Sequence, residues 1–229
     1  MHSTNTITEA QGRAVVQGSQ RWLELRHGRF TGSEIWELTV EPKTKKAKEA
    51  GVLSETAKGH ILEKLQERMS GQPKPGFSSI STDWGTENEP LAIARYEEII
   101  GNKVDKVGFI PYGDNAGCSP DGLVSFDGLI EVKCPHVDYL VRVAEDPASK
   151  REYYCQIQFE LLVTGRQWCD YIVYDPRMPE GQDISIRRIL RDQDKIDELV
   201  AAMERGEEWL NEMYEELLEI FAQTQKLRA

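Results

Sequence analysis

The sequence has no long apolar run and few cysteines. No segment approaches the length of a membrane span, and residues 1–18 have no apolar core of a signal peptide, so we expect a cytoplasmic protein without a membrane partner. The four cysteines are widely spaced and form no C-x-x-C pair. This spacing argues against a zinc or iron–sulfur site and predicts buried, reduced thiols.

An excess of basic residues is also missing. The chain carries 28 Lys and Arg against 39 Asp and Glu, a net charge of −11. Proteins that bind nucleic acid indiscriminately usually have a basic surface, so this class is disfavoured. The charges are segregated, however, because glutamates crowd residues 204–219 and lysines crowd residues 43–48. Such a field can repel DNA from one face and attract it to another.

Apolar periodicity predicts one domain over residues 18–229, after a flexible arm over residues 1–17. Helices are predicted over residues 22–26, 32–40, 54–70, 91–100, 137–144, 150–164 and 193–225. Strands are predicted over residues 103–112, 122–126, 129–133, 168–174 and 184–190. Residues 41–51 and 72–83 are expected to form polar loops. This order predicts an α/β fold with a central mixed β-sheet flanked by helices.

Two short segments carry the candidate chemistry. In Ser119-Pro120-Asp121-Gly122, the proline and glycine predict a tight turn that fixes Asp121 at the start of a strand. Glu131-Val132-Lys133 begins ten residues after Asp121. One residue separates Glu131 from Lys133, so on a strand both side chains share a face. A hairpin between the two strands could bring Asp121 to them.

Two carboxylates on one face repel each other, and a hard divalent cation relieves that repulsion. Oxygen ligands without His or Cys favour Mg²⁺ or Mn²⁺. Lys133 beside such an ion could orient or deprotonate a water molecule, an arrangement for phosphodiester hydrolysis. The alternative is a surface hairpin whose Glu and Lys face solvent. The apolar residues around Glu131 favour the nuclease interpretation, because a strand buried on one face accommodates an unpartnered Glu and Lys poorly.

At these residues the sequence resembles the PD-(D/E)-x-K nucleases and, more closely, the phage lambda exonuclease (YqaJ-type viral recombinase) family. The resemblance covers roughly residues 22–177. It rests on seven ordered pieces: W-L-E-L-R, F-T-G-S-E, W-G-T-E-N-E, C-S-P-D-G, I-E-V-K-C-P, Y-C-Q-I-Q and Y-D-P-R-M.

The resemblance implies a restriction-endonuclease-like fold and a Mg²⁺-dependent 5′-to-3′ exonuclease on double-stranded DNA ends. It also implies a homotrimeric ring and a single-strand annealing protein that receives the 3′ overhang, in phage or prophage recombination within a bacterial cell. The implied metal ligands are Asp121, Glu131 and the Val132 carbonyl. Lys133 would activate water, with Glu89 and Gln156 completing the site and Glu89 partly holding a second ion.

Three further positions match those expected to hold a phosphate: Arg26, Ser33 and Ser119. An Arg fork with hydroxyl donors suits a terminal 5′-phosphate. Arg26 could instead pair with Glu24 or a nearby acid. Lys43, Lys45 and Lys46 are expected to contact the DNA backbone, with a solvated loop as the alternative.

Other residues leave a second interpretation open. Glu89 follows Thr86 by three residues and could form a capping box. Gln156 could be a solvated helix residue. Trp22 fits a core or interface position, and Phe77 and Ile80 are the available candidates for an apolar wedge at the duplex end. Two functional alternatives remain, a restriction-fold endonuclease acting internally or at branched DNA and a non-catalytic DNA-end-binding recombination adaptor.

Overall fold

In a computed structural model, the protein is described over residues 8–72 and 80–226. Within these residues the helices, in chain order, are α1 Glu9–Arg13, α2 Gln20–Arg26, α3 Lys45–Glu49, α4 Glu55–Ser70, α5 Ile80–Ile100, α6 Tyr139–Ala144, α7 Arg151–Thr164 and α8 Gln193–Lys226. The strands are β1 Phe30–Thr31, β2 Val104–Asp105, β3 Ile110–Tyr112, β4 Ala116–Cys118, β5 Gly122–Val124, β6 Gly128–Lys133, β7 Trp168–Tyr174 and β8 Ile184–Leu190. Two 3-10 turns cover Ile35–Thr39 and Pro147–Ser149.

The predicted mixed sheet has five strands in the order β2-β5-β6-β7-β8. β6 and β7 run parallel, and the other neighbours run antiparallel. A second, three-stranded sheet has the order β1-β4-β3, with β1 parallel to β4. The predicted fold class, a mixed α/β arrangement with flanking helices, is therefore confirmed.

The five-stranded sheet is covered on both faces. On one face, Ile130 and Val132 pack into a buried cluster with Ala92 and Tyr96 of α5. On the other, Leu129 belongs to a larger core that includes residues of α4, α7 and α8. Because side chains alternate along a strand, β6 lies buried between two helical layers and sends successive residues into each.

Of the flexible arm predicted over residues 1–17, residues 1–7 lie outside the described residues, whereas residues 8–17 contain α1 and contact the rest of the domain. α1 docks on the β3 side of the molecule, where the backbone N–H groups of Gly108 and Phe109 donate to the carbonyls of Arg13 and Gly12. The Gln17 amide also donates to the Val107 and Pro120 carbonyls. These backbone partners lie far away in sequence, so local composition carried no sign of them.

The structure also differs from the predicted elements at four places. The strand predicted over residues 103–112 is two short strands, β2 and β3, which belong to different sheets. β4 was not predicted, and the turn at residues 113–115 joins it to β3. The expected loop at residues 41–51 contains α3, whose Thr44 side chain caps the Ala47 N–H. α5 begins at Ile80, inside the loop predicted to reach residue 83.

The four cysteines are free and buried, as predicted. None of the described helices combines the length and the apolar composition needed to cross a membrane. The wedge candidate Phe77 and the side chain of Ile80 lie outside the described residues.

Candidate active site

β6 presents Glu131 and Lys133 on the face that α7 covers. Their neighbours Ile130 and Val132 point toward α5, so the alternation of the strand sends Glu131 and Lys133 the other way. The Lys133 ammonium donates to Glu131 Oε1 at 2.6 Å. The E-x-K spacing therefore places these two side chains together, as strand geometry predicts.

Asp121 reaches the same place from the start of the neighbouring strand. β5 pairs Gly122 with Ile130, which leaves Asp121 just beyond the paired residues. Its carboxylate accepts a hydrogen bond from the Val132 N–H at 2.7 Å. Since the N–H and C=O of one strand residue point to the same side, the Val132 carbonyl is also directed toward Asp121.

The cluster of Asp121, Glu131 and Lys133 has more acidic than basic groups. Burial, together with repulsion from Glu131 and Glu89, raises the pKa of Asp121 well above its usual range. Burial alone would lower the pKa of the Lys133 ammonium, but the Glu131 and Asp121 carboxylates outweigh it and the pKa is raised. Lys133 is the cation bonded to Glu131, and a single ammonium leaves excess negative charge.

A divalent cation fits the residues present. Glu131 is only 2% exposed, and its Oε2 has no hydrogen-bond partner among the described residues. Within residues 8–72 and 80–226, no three His, Cys, Asp or Glu side chains form a group that could hold an ion by itself. Asp121, Glu131 and the Val132 carbonyl would thus supply oxygen ligands and leave other positions to water, which suits Mg²⁺.

Glu89 lies on α5 and acts on the cluster through its charge. It raises the pKa of Asp121 and of the Cys134 thiol, in each case after burial as the larger cause. Its carboxylate forms an ion pair with Lys106. The capping-box alternative with Thr86 is wrong, because both residues lie inside α5 and not at its N-terminus.

Gln156 and Glu160 face the cluster from α7. The Gln156 amide donates to Glu160 Oε1 at 3.0 Å, so Gln156 is not a solvated helix residue. Glu160 is 1% exposed, and its Oε2 has no hydrogen-bond partner among the described residues. Burial and repulsion from Glu131 raise the pKa of Glu160 well above its usual range. The sequence analysis missed this residue, since a glutamate on a helix normally faces solvent.

The three predicted phosphate-binding residues lie together. Arg26 donates to the hydroxyls of Thr31 and Ser33, both at 3.3 Å, and its guanidinium lies 4.3 Å from the centre of the Trp22 ring. The Trp22 N–H donates to Ser119 Oγ at 2.9 Å. Trp22 therefore joins the third residue to the other two, a role that sequence reasoning missed.

Arg26 has no carboxylate partner among the described residues. The alternative pairing with Glu24 is wrong, because Glu24 forms its ion pair with Arg21. Burial lowers the pKa of Arg26 although nearby carboxylates, Glu34 first among them, oppose the shift. A half-buried guanidinium that forms no ion pair among the described residues has the chemistry to bind an anion.

Arg26, Ser33, Ser119 and Trp22 form a group that we call the Arg26 pocket. Gly32 lies between this pocket and the carboxylate Glu160, which faces the cluster of Asp121, Glu131 and Lys133. A Cβ at this position would lie 3.5 Å from Glu160 Oε1 and 3.7 Å from Gln156 Cγ. Ser33 is the next residue, so the two groups of functional side chains adjoin one another across α7.

The lysines of residues 43–48 are exposed, and two of them take part in ion pairs. Lys45 lies 3.7 Å from Glu49, and Lys48 lies 2.5 Å from Glu41. Contact of Lys43, Lys45 and Lys46 with a DNA backbone stays a prediction.

The fold and the cluster define a class of protein. A mixed sheet covered by helices on both faces, with an Asp–Glu–Lys cluster around a buried glutamate at the end of its central strands, is the restriction-endonuclease-like fold. The model of the YqaJ-like viral recombinase domain matches residues 21–167. The chain belongs to this family.

Solved structures give the same picture. LHK-Exo, an alkaline exonuclease from Laribacter hongkongensis solved with dAMP, is 30% identical to this chain. The match covers 90% of this chain and 100% of LHK-Exo, with a TM-score of 0.77. A phage related exonuclease from Haemophilus somnus 129PT, 20% identical over 85% of this chain and 99% of its own, has a TM-score of 0.70 and shows the fold alone. A comparison with curated proteins found no match.

Proposed function

We propose that the protein is a Mg²⁺-dependent exonuclease that degrades one strand of double-stranded DNA from a 5′-phosphorylated end and leaves a 3′ overhang. Exonuclease activity on DNA is supported by the family and by the similarity to LHK-Exo. The observation that carries the proposal is the cluster of Asp121 and Lys133 around the buried Glu131. It adjoins a guanidinium, Arg26, that has no carboxylate partner among the described residues.

Asp121, Glu131 and the Val132 carbonyl would hold one Mg²⁺, for which Mn²⁺ can substitute, and Glu89 would partly hold a second. When bound, the two ions supply Lewis-acid polarisation of the scissile phosphate and charge for the departing 3′-oxygen. Lys133 already lies 2.6 Å from Glu131, where its ammonium can orient the attacking water and stabilise the charge that develops on the phosphate.

The Arg26 pocket would fix the end of the strand. Arg26 offers a planar set of donors, and Ser33 and Ser119 add hydroxyls, the groups that bind a terminal phosphate well. Because Gly32, the residue before Ser33, lies against Gln156 and Phe159 of α7, a phosphate bound in this loop would position the adjacent phosphodiester near Lys133.

We further propose a homotrimeric ring and a single-strand annealing protein as partner, both on the strength of the family resemblance. A ring keeps an enzyme on DNA by topology instead of affinity, which suits a chain of net charge −11. Sedimentation at working concentration should give the mass of three chains. A monomer there would contradict the ring.

The decisive assay is digestion of linear duplex DNA that carries a label at the 5′ end of one strand or, in a second sample, at its 3′ end. In Mg²⁺ nucleotides should be released from the 5′ end first, and faster with a 5′-phosphate than with a 5′-hydroxyl. EDTA should stop the release. Closed circular duplex should stay intact, and its cleavage would favour the endonuclease alternative. Binding of DNA ends without Mg²⁺-dependent nucleotide release would favour the non-catalytic adaptor.

The variant Lys133→Ala should abolish cleavage and leave DNA binding nearly unchanged. Removing one group that stabilises the transition state costs about 10²–10³ in rate. Nucleotide release would be measured in Mg²⁺, and DNA binding in Ca²⁺. Lys103→Ala is the control, since Lys103 is exposed and pairs with Glu97 away from the cluster. Cleavage by Lys133→Ala at the rate of the control would refute the assignment.

A further inference from the structure

Glu160 is a buried carboxylate in α7 whose environment no structural role explains. Among the described residues no Lys, Arg or His forms an ion pair with it. One oxygen accepts the Gln156 amide, and the other has no hydrogen-bond partner among the described residues although the side chain is 1% exposed. Such a group costs the folded state free energy, so it should have a partner that is present when the protein works.

The packing of α7 identifies where that partner would be. The Lys133 ammonium lies 5.1 Å from the centre of the Tyr153 ring on α7, and Glu160 follows two turns later on the same face of that helix. The charges of Glu131, Asp121 and Lys133, the members of the proposed metal site, also act on Glu160. Glu131 has its own buried oxygen without a hydrogen bond. Two such oxygens therefore belong to the neighbouring elements β6 and α7.

We propose that Glu160 is an additional, outer ligand of the divalent cation, whose free oxygen accepts a hydrogen bond from a water molecule that the cation holds. This inference rests on the proposed function, because it needs the ion at Asp121 and Glu131. An outer role fits the geometry, since no three acidic, His or Cys side chains among the described residues form a group that could hold an ion directly. Mg²⁺ usually keeps several of its waters, which gives such a carboxylate something to bind.

Gln156 has a defined part in this arrangement. Its amide holds Glu160 Oε1 at 3.0 Å and thereby orients the opposite oxygen. Gly32 lies next to the same carboxylate oxygen, because a Cβ built on Gly32 would be 3.5 Å from Glu160 Oε1 and 3.6 Å from Phe159 Cδ1. Gln156 is thus a positioning residue for Glu160, and both act on the metal without contacting it.

The test is the affinity for Mn²⁺ alone, measured without DNA by the loss of the free-ion electron paramagnetic resonance signal. Glu160→Gln keeps the shape of the side chain and removes its charge. Outer-shell partners contribute about 10- to 100-fold to metal affinity, so we expect Kd for Mn²⁺ to rise about tenfold or more. Glu145→Gln is the matched control, because Glu145 also has a buried oxygen without a hydrogen bond but pairs with Arg142 and Lys150. Its Kd should stay within about twofold of the parent value.

Thermal unfolding gives a second readout. In EDTA, Glu160→Gln should be no less stable than the parent, because it loses a carboxylate that lacks a cation. In excess Mn²⁺ its stabilisation by the ion should be smaller by about 1.4 kcal/mol for each tenfold rise in Kd. A second variant, Gln156→Met, frees Glu160 without changing its charge and should raise Kd by a smaller factor.

The outcomes separate the two proposals. Mn²⁺ binding by the parent with weaker binding by Glu160→Gln supports the inference. Equal binding by both overturns it and leaves the proposed function standing. A parent protein that binds no Mn²⁺ overturns the inference and the metal-dependent function together. If Glu160→Gln does not fold, Gln156→Met decides, and an unchanged Kd in that variant refutes the inference.

Discussion

Selection of 5′-phosphorylated ends should depend on Arg26. Its guanidinium lies on the Trp22 ring, donates to Thr31 and Ser33 at 3.3 Å, and has no carboxylate partner among the described residues. Burial lowers the pKa of Arg26, which means that the folded protein keeps a partly desolvated positive charge. Replacing it by glutamine removes the charge and keeps a polar side chain of similar reach.

The size of the effect follows from these contacts. A hydrogen bond to a charged group contributes about 1.5–3 kcal/mol, and about 1.4 kcal/mol corresponds to a factor of ten. Arg26→Gln should therefore lower kcat/KM for a 5′-phosphorylated duplex by roughly 10- to 100-fold. The value for a 5′-hydroxyl duplex should change little, because that end offers no charge for the guanidinium to bind.

The assay compares initial rates of nucleotide release on the two duplexes, for the parent and the variant. Their ratio isolates the interaction between Arg26 and the terminal phosphate. Arg21→Gln serves as the control, since Arg21 is on the same helix but pairs with Glu24. Equal losses on both duplexes, or an undiminished preference for the phosphate, would refute the reasoning. Unfolding in denaturant should show no large loss of stability in Arg26→Gln.

Two further predictions concern stability. Gly128→Ala should lower the free energy of unfolding by about 1–3 kcal/mol or more, because its Cβ would lie 2.1 Å from the Trp168 ring. Gly59→Ala on α4 should instead raise the free energy of unfolding by about 0.5–1 kcal/mol, because its Cβ would lie in open space. Urea unfolding measures both, and equal effects would contradict the packing argument. Burial lowers the pKa of His60 to about 4 in the folded protein, against about 6.5 in the unfolded chain. Between these two pH values only the unfolded chain binds the extra proton, so the stability of the fold decreases as the pH falls. Between pH 7 and pH 5 this loss should be about 2 kcal/mol and should be absent from His60→Gln, whereas equal losses in both proteins would exclude His60 as the cause.

Local patterns in the sequence were sufficient for much of the fold. Strands β7 and β8 and helices α4 and α7 have the predicted bounds to within a residue or so, because alternating and three-to-four-residue apolar spacings depend only on the element itself. The same reasoning placed Glu131 and Lys133 on one face, since strand spacing alone fixes that relation. Arg26, Ser33 and Ser119 came from the family resemblance, and the structure places them together.

Other features required the tertiary structure. Residues 8–17 are folded because their backbone pairs with Gly108 and Phe109, nearly a hundred residues away, and composition holds no record of such pairing. The strand predicted over residues 103–112 divides between two sheets for the same reason, since strand partners and not strand propensity decide where pairing stops.

The sequence by itself determined which residue types stand at fixed short spacings, above all Glu131 and Lys133. Only the tertiary structure decided which distant groups surround them. Glu160 faces the cluster because α7 contacts the end of β6, where Tyr153 lies against Lys133, and Trp22 lies near it because α2 is beside Ser119. Both facts depend on packing between elements, which the pattern within one element does not encode.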